Sequence, residues 1–131
     1  MEFKNELSSD CPDINVQDII EDKIFFRVTK NSPPNDGDFI PVWFLRKNKK
    51  NLDECISKGL SISEKIEDAQ VLIESIPNLG EYIYSGKVIC QEEGIVKKTP
   101  SRRNPSHRTW YPLVNKDEKM IFNKFKVKVE L

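Results

Sequence analysis

The side chains best suited to binding chemistry gather in one stretch, between Gly94 and Pro112. Five cations lie within twelve residues that contain no carboxylate, namely Lys97, Lys98, Arg102, Arg103 and Arg108. Hydroxyl groups lie among them, from Thr99, Ser101, Ser106 and Thr109, together with the single histidine of the chain, His107. Because guanidinium and ammonium groups donate to phosphate and carboxylate oxygens, this stretch predicts an anion-binding loop.

Two residues of this loop have alternative interpretations. His107 is the residue whose ordinary pKa lies near neutrality, and it is a candidate general base, ligand contact or hydrogen-bonded structural residue. Neighbouring strand residues point to opposite faces, so Thr109 shares the face of His107 and Ser106 does not. Trp110, followed by Tyr111, either stacks on a ring of the ligand or packs the edge of a sheet. The predicted binding residues are Lys97, Lys98, Arg102, Arg103, His107, Arg108, Thr109 and Trp110.

Charge is distributed unevenly along the 131 residues, although the formal net charge is zero. Residues 1–22 contain seven acids and one cation, Lys4. We therefore predict an acidic polar leader at 1–22 and a single domain at 23–131, a usual size for one core. Two interpretations of the basic loop stay open: it binds an external anion, or the acidic leader neutralises it.

The chain carries no apolar run near the roughly 20 residues that cross a bilayer, and its start is acidic where a secretory signal is basic. These features predict a cytoplasmic protein without a membrane partner. Cys11, Cys55 and Cys90 are far apart and odd in number, which predicts reduced thiols. A zinc site made from them and His107 lacks the closely spaced ligand pairs of structural sites, so no metal or cofactor is predicted.

Hydrophobic patterning indicates the elements that position the loop. The β-forming run at Lys23–Lys30 predicts a strand that closes at a Pro/Asn/Asp/Gly cluster. Phe39–Leu45 follows as a second apolar segment that is extended at first, because Pro41 disfavours helix at Ile40. Trp43 and Phe44 are predicted core residues. A helix is expected at Asn51–Lys58, with Gly59 as its left-handed C-cap.

The second half of the chain adds one helix and further strands. Ser61 or Ser63 predicts the N-cap of a helix at Glu64–Ser75, whose apolar residues recur at helical spacing. Two brief strands, Lys87–Cys90 and Ile95–Val96, predict a hairpin. Strict alternation toward the end of Lys119–Leu131 predicts a half-exposed strand. The expected fold is α+β, a small mostly antiparallel sheet packed with one or two helices.

Common local motifs of enzymes are missing from the sequence. It contains no Walker A, GxGxxG, HExxH, GxSxG or EF-hand pattern. The sequence therefore favours a small intracellular binding or regulatory protein over an enzyme. Its partner would be anionic: a nucleic acid, a phosphorylated ligand or an acidic protein surface.

Three short patterns resemble the ADP-ribosyltransferase fold: Arg27 in an early strand, Ser61-Ile62-Ser63, and Gln91-Glu92-Glu93. The resemblance implies a site in which the arginine, the serine motif and the glutamate grip a nicotinamide dinucleotide and polarise its ribose. The chain departs from that family in its close Ser-to-Glu spacing and in a serine segment that is typical of a helix cap. This NAD-dependent enzyme is the alternative function.

A broader resemblance covers Phe26 to Pro112. The segments that carry it are Phe26-Arg27-Val28, Asp38-Phe39, Gly59-Leu60-Ser61, Glu67-Asp68-Ala69, Leu79-Gly80 and His107-Arg108-Thr109-Trp110. They are similar to small bacterial single-domain proteins. The similarity implies one compact domain with the His107 loop near a shared site, and it implies no activity.

Overall fold

Six antiparallel strands form the sheet of this protein. A computed structural model describes residues 3–8, 10–12, 23–76, 78–88, 93–113 and 125–130. The strands are β1 (Lys23–Thr29), β2 (Leu60–Ser63), β3 (Tyr82–Val88), β4 (Gly94–Lys98), β5 (His107–Pro112) and β6 (Phe125–Lys128). Their spatial order is β4-β5-β2-β1-β3-β6. The described residues also form three α-helices and one 3-10 helix, so the expected α+β fold is confirmed.

The main hydrophobic cluster lies on one face of the sheet. Residues paired across antiparallel strands share a face, and the pairs Leu60–Trp110, Val96–Trp110 and Phe25–Gly86 place the large apolar side chains together. The buried cluster consists of Phe25, Phe39, Leu60, Ile62, Tyr84, Val88, Val96, Trp110 and Phe125. All but Phe39 come from strands.

The sheet is strongly curled. Trp110 and Phe125 belong to strands four places apart in the sheet, which in a flat sheet would separate them by about 19 Å. Their ring centroids are 6.0 Å apart, and Phe39 packs on Phe125 at 5.9 Å. The two halves of the sheet therefore fold over a common interior.

The segment Phe39–Leu45 is extended at Ile40 and Pro41, as predicted, and short helices lie on either side of these two residues. A 3-10 helix spans Asp36–Phe39, and α1 spans Val42–Leu45. Asn35 begins the 3-10 helix with a capping box, in which its side chain accepts from Gly37 N–H and its own N–H donates to Asp38 at 3.0 Å. Asx turn chemistry thus overrides the apolar pattern. The predicted core position of Phe44 is wrong, because this side chain is 46% exposed.

The helices after α1 are shorter than predicted. The helix expected at Asn51–Lys58 is a single turn, α2 (Glu54–Ser57), capped by the Asp53 carboxylate. Gly59 does not take the left-handed backbone of a C-cap; a Cβ there would collide with Thr109 and touch Tyr111. This glycine therefore provides room for β5 rather than a turn.

The longest helix, α3 (Ile66–Ser75), is confirmed, but its predicted start is wrong. Lys65 is the N-cap residue and makes no side-chain cap. Ser61 and Ser63 belong to β2, where they pair with Thr109 and His107. Strand pairing with a segment more than forty residues away outweighs the local capping signal.

The hairpin predicted between Lys87–Cys90 and Ile95–Val96 is also wrong. Among the described strands, β3 pairs with β1 and β6, while β4 pairs with β5. Of the final strand predicted at Lys119–Leu131, Phe125–Lys128 is confirmed. Residues 89–92, 119–124 and 131 lie outside the described residues, as do 13–22 of the predicted acidic leader.

The prediction of reduced thiols is wrong for two of the three cysteines. Cys11 and Cys55 form a disulfide that joins the leader to α2. Phe3 also pairs with Leu113, and Lys4 N–H donates to Pro112 O at 2.8 Å. Two disulfide sulfurs are not free to act as thiolate ligands, which removes the three-cysteine zinc alternative. The structure describes no helix that is long and apolar enough to cross a bilayer.

Candidate anion-binding hairpin

The basic segment is a β-hairpin made by β4 and β5, with a loop at Thr99–Ser106. Lys98 pairs with Arg108 and Lys97 with Thr109, so the cations begin within the strands. Ser101 and Asn104 close the loop through reciprocal backbone hydrogen bonds of 3.1 and 3.2 Å. The hairpin therefore has an ordered tip.

Buried polar contacts fix the loop to the rest of the domain. The Asn104 amide donates to Ser63 Oγ at 3.1 Å, and the Ser106 N–H donates to the Asp68 carboxylate at 3.1 Å. Lys65 N–H in turn donates to Ser106 Oγ. These contacts leave Arg102 and Arg103 exposed at the tip.

Four cations of the hairpin are available to a partner. Lys98, Arg102 and Arg103 are exposed, and Lys97 is half-buried. Within the described residues, none of the four has an ion pair. The neutralising leader stays untested, since most of its acids lie at 13–22.

Arg108, by contrast, is held by its own domain. Its guanidinium forms an ion pair with Glu64, and it also donates to the carbonyls of Pro105 at 3.2 Å and His107 at 2.8 Å. Its Nε is buried without a hydrogen-bond partner. The described contacts of Arg108 therefore support a structural role, and its role as a ligand contact stays a prediction.

A shallow depression of about 410 Å³ lies beside the loop of the hairpin, where Pro105, Ser106 and Arg108 line it. Its charged lining residues are Lys23, Glu64, Lys65 and Arg108. Burial alone would raise the pKa of Glu64. Lys23, whose Nζ lies 2.7 Å from Glu64 Oε1, and Arg108 both stabilise the carboxylate, so the net effect is a lowered pKa. The depression holds three cations against one carboxylate, so it extends the positive surface of the hairpin.

His107 is fixed by hydrogen bonds. Its Nδ1 lies 3.0 Å from Thr99 O and 2.8 Å from Thr99 Oγ1, which lies 2.8 Å from Thr109 Oγ1. Burial lowers the pKa of His107, the charges of Arg108 and Arg27 lower it further, and the bond to the Thr99 carbonyl opposes them. The imidazole is therefore neutral at neutral pH. As the alternation predicts, Thr109 shares its face, whereas Ser106 binds Lys65.

We expect this environment to make stability depend on pH. The folded-state pKa of His107 is below the unfolded value, so protons bind more readily to the unfolded chain. Stability should fall as pH drops below about 6.5 and level off below the folded pKa. Urea unfolding between neutral and mildly acidic pH measures this effect. His107→Gln, which cannot titrate, should reduce the pH slope in that window; an unchanged slope would contradict the assignment.

Trp110 and Thr109 are buried, so they are not accessible to a partner. Trp110 has 0% exposure, and its Nε1 donates to the Glu93 carbonyl at 3.0 Å. Thr109 is 1% exposed. The packing alternative for Trp110 therefore applies. Of the eight predicted binding residues, Lys97, Lys98, Arg102 and Arg103 form the accessible group, and His107 and Arg108 border it half-buried.

Arg27 joins three elements. Its Nε and Nη2 donate to Asp38 O at 3.0 and 2.6 Å, and its Nη1 donates to Ser61 O at 2.6 Å. Burial lowers the pKa of Arg27 to about 10, against the charge of Asp38, which raises it. Arg27 and the serine motif of β2 are thus in contact.

Glu93 is not beside these two residues. Ser61 pairs with Thr109, and Thr109 pairs with Lys97 of β4. Glu93 precedes Lys97 by four residues and lies just before the start of β4. That offset is about 13 Å along the strands. Glu93 is also buried, with 6% exposure. The register therefore separates the glutamate of the enzyme alternative from its arginine and serines.

Sequence reasoning missed the residues that line the depression beside the hairpin loop. Lys23 lies on β1, and Glu64 and Lys65 follow β2, far from Arg108 in sequence. Their meeting depends on strand order, for which the sequence offers no local signal. Only the hairpin cations themselves were visible as a cluster.

Fold and site together define a small α+β protein with a basic hairpin. Comparison with family models, with curated proteins and with solved structures finds no match to this chain. Function must therefore be argued from the residues.

Proposed function

We propose that this is a small binding or regulatory protein that engages an anionic partner through the β4–β5 hairpin. The observation that carries the proposal is the group Lys97, Lys98, Arg102 and Arg103, which has no ion pair in the described part of the chain. Cations on a rigid hairpin lose less conformational freedom on binding than cations on a mobile loop.

The mechanism is electrostatic. Arg102 and Arg103 donate bidentate hydrogen bonds to phosphate or carboxylate oxygens, while Lys97 and Lys98 add less directional charge. Lys65 extends the contact surface into the depression. Partners of this chemistry are nucleic acids, phosphorylated ligands and acidic protein surfaces.

A panel of anions tests the proposal by thermal unfolding. Inorganic phosphate, nucleotides and short single- and double-stranded nucleic acids are compared at low and high salt. A ligand that binds the native state stabilises it by about 2.7 kcal/mol at a hundredfold excess over Kd. We expect a salt-sensitive rise in Tm with at least one phosphate-bearing ligand.

Paired charge reversals locate the contact. Arg102→Glu with Arg103→Glu should abolish the rise, because both side chains are exposed and their replacement leaves the core intact. Lys87→Glu with Lys126→Glu is the matched control, since these two exposed cations lie on β3 and β6. If no anion in the panel raises Tm, the remaining partner class is an acidic protein. Affinity capture from cell extract then tests for it, and the Arg102→Glu, Arg103→Glu variant should no longer capture the partner. Equal responses of both variants would contradict the proposal.

The cytoplasmic location expected from the sequence stays a prediction. Its thiol argument no longer supports it, because the Cys11–Cys55 disulfide is the kind of bond that persists in oxidising compartments.

The alternative is an NAD-dependent enzyme similar to ADP-ribosyltransferases. The observation that favours it is the hydrogen bond of Arg27 to the main-chain carbonyl of Ser61, because β2 is a strand where the sequence predicted a helix cap. The offset position of Glu93 argues against it.

Ligand stabilisation distinguishes this alternative. Nicotinamide dinucleotide should raise Tm if the alternative holds, and Ser61→Ala should remove the rise. Ser61 is exposed, so its replacement spares the fold. A rise that Arg102→Glu with Arg103→Glu removes, and Ser61→Ala does not, would assign the dinucleotide to the hairpin instead.

A further inference from the structure

A second surface combines exposed apolar side chains with cations. On and around α1 and α2, four large apolar side chains are exposed: Ile40 by 40%, Phe44 by 46%, Leu45 by 61% and Ile56 by 42%. We call these four residues the apolar tip. The two helices that carry most of it contact each other. Apolar side chains grouped on a surface mark an interaction site more often than isolated ones do.

Cations border the apolar tip on the chain between α1 and α2. Arg46, Lys47, Lys49 and Lys50 are all exposed, and residues 39–52 contain no acid. The ammonium groups of Lys49 and Lys58 lie 5.1 and 5.4 Å from the centroid of the Trp43 ring. Cation–π contacts of this kind hold the positive charges beside the apolar residues.

This surface is distinct from the basic hairpin. α2 comes just before Leu60, the first residue of β2. The hairpin loop contacts Ser63, the last residue of β2, through Asn104. The two cationic surfaces therefore lie toward opposite ends of β2, and a partner of one need not be a partner of the other.

The chemistry of the apolar tip favours lipid over nucleic acid. Nucleic-acid bases stack on aromatic rings, but three of the four side chains here are aliphatic. Aliphatic and aromatic side chains beside exposed lysines and arginines match the boundary between acyl chains and anionic headgroups. Asp53 and Glu54 are exposed beside Ile56, so the border holds four exposed cations against two acids, and its net positive charge favours an anionic surface.

We infer that the apolar tip and its bordering cations dock this protein peripherally on an anionic phospholipid surface. Phe44 and Leu45 enter the boundary of the acyl region, and Arg46, Lys47, Lys49 and Lys50 contact headgroup phosphates and carboxylates. The contact is limited to the surface of the bilayer, and no described part of the protein crosses it. It departs from the sequence expectation of no membrane partner.

Vesicle flotation tests the inference with the full chain. Vesicles of phosphatidylcholine alone are compared with an equimolar mixture of phosphatidylcholine and phosphatidylserine. We expect binding to the anionic vesicles that salt weakens, and little binding to the neutral ones. Phe44→Ser with Leu45→Ser should lower the partition coefficient by more than about tenfold, the value of burying one such side chain. Val127→Ser, at a position 64% exposed on β6, is the matched control and should bind as the wild type does.

Trp43 supplies a second readout. It lies beside the apolar tip, whereas Trp110 is already fully buried, so a blue shift of emission on vesicle binding should come from Trp43 and vanish in Trp43→Phe. Absence of binding to anionic vesicles would overturn the inference. So would unchanged binding of the Phe44/Leu45 variant, or binding lost only on Arg102→Glu with Arg103→Glu, which would place the contact on the hairpin.

Discussion

Trp110→Ala should lower the free energy of unfolding by about 3–5 kcal/mol, the usual cost of removing a fully buried large aromatic side chain. Trp110 packs on Phe125 across the curled sheet, and its indole N–H binds the Glu93 carbonyl. The truncation leaves a cavity and removes the hydrogen bond from the indole N–H. Since domains of this size are stable by about 5–15 kcal/mol, a large part of the stability would be lost.

Trp43→Ala is the matched control for this prediction. Trp43 is half-buried, and its described ring contacts are with Lys49 and Lys58. We expect a loss of about 1 kcal/mol, within the ordinary range for point substitutions. Urea unfolding of both variants measures the difference. Equal losses, or a larger loss for Trp43, would contradict the packing described for the core.

Loss of the Cys11–Cys55 disulfide has the second large expected effect. The bond closes a sequence separation of 44, for which the chain-entropy model gives about 4 kcal/mol of stabilisation. It also holds the leader segment beside Tyr111, where Phe3 packs edge-on at 6.5 Å. Cys11→Ser with Cys55→Ser should therefore lower Tm substantially.

Reductant provides the control for the disulfide. Dithiothreitol should lower the Tm of the wild-type protein to near that of the double variant, and it should leave the double variant unchanged. Mass spectrometry with thiol labelling confirms which form is present. A wild-type Tm that does not respond to reductant, in a sample shown to be reduced, would contradict the prediction.

Local patterns predicted the elements whose stability is mostly local. β1 follows from a dense run of β-formers, and α3 from apolar spacing over three turns, and both are confirmed. The cluster of hairpin cations was also visible, because it is contiguous in sequence. These are cases in which neighbouring residues carry the information.

Long-range pairing decided what the sequence did not predict. Ser61 and Ser63 match the pattern of a helix N-cap, yet both lie in β2 and pair with residues of β5. Trp43 lies on a short surface helix instead of in the expected core, whereas Trp110 packs inside a curled sheet, which was one of its two predicted environments. Cys11 and Cys55 meet only after α2 is placed, so spacing could not reveal their bond.

The salt dependence of polyanion binding tests the central claim most directly. For a fluorescent single-stranded oligonucleotide, each phosphate neutralised contributes about 0.7 to the slope of log Kobs against log salt. If Arg102 and Arg103 each contact a phosphate, their reversal to glutamate should reduce the slope by about 1.4. Lys87→Glu with Lys126→Glu should leave it unchanged. Identical slopes for the wild-type protein and the Arg102/Arg103 variant would contradict the assignment of anion binding to this hairpin.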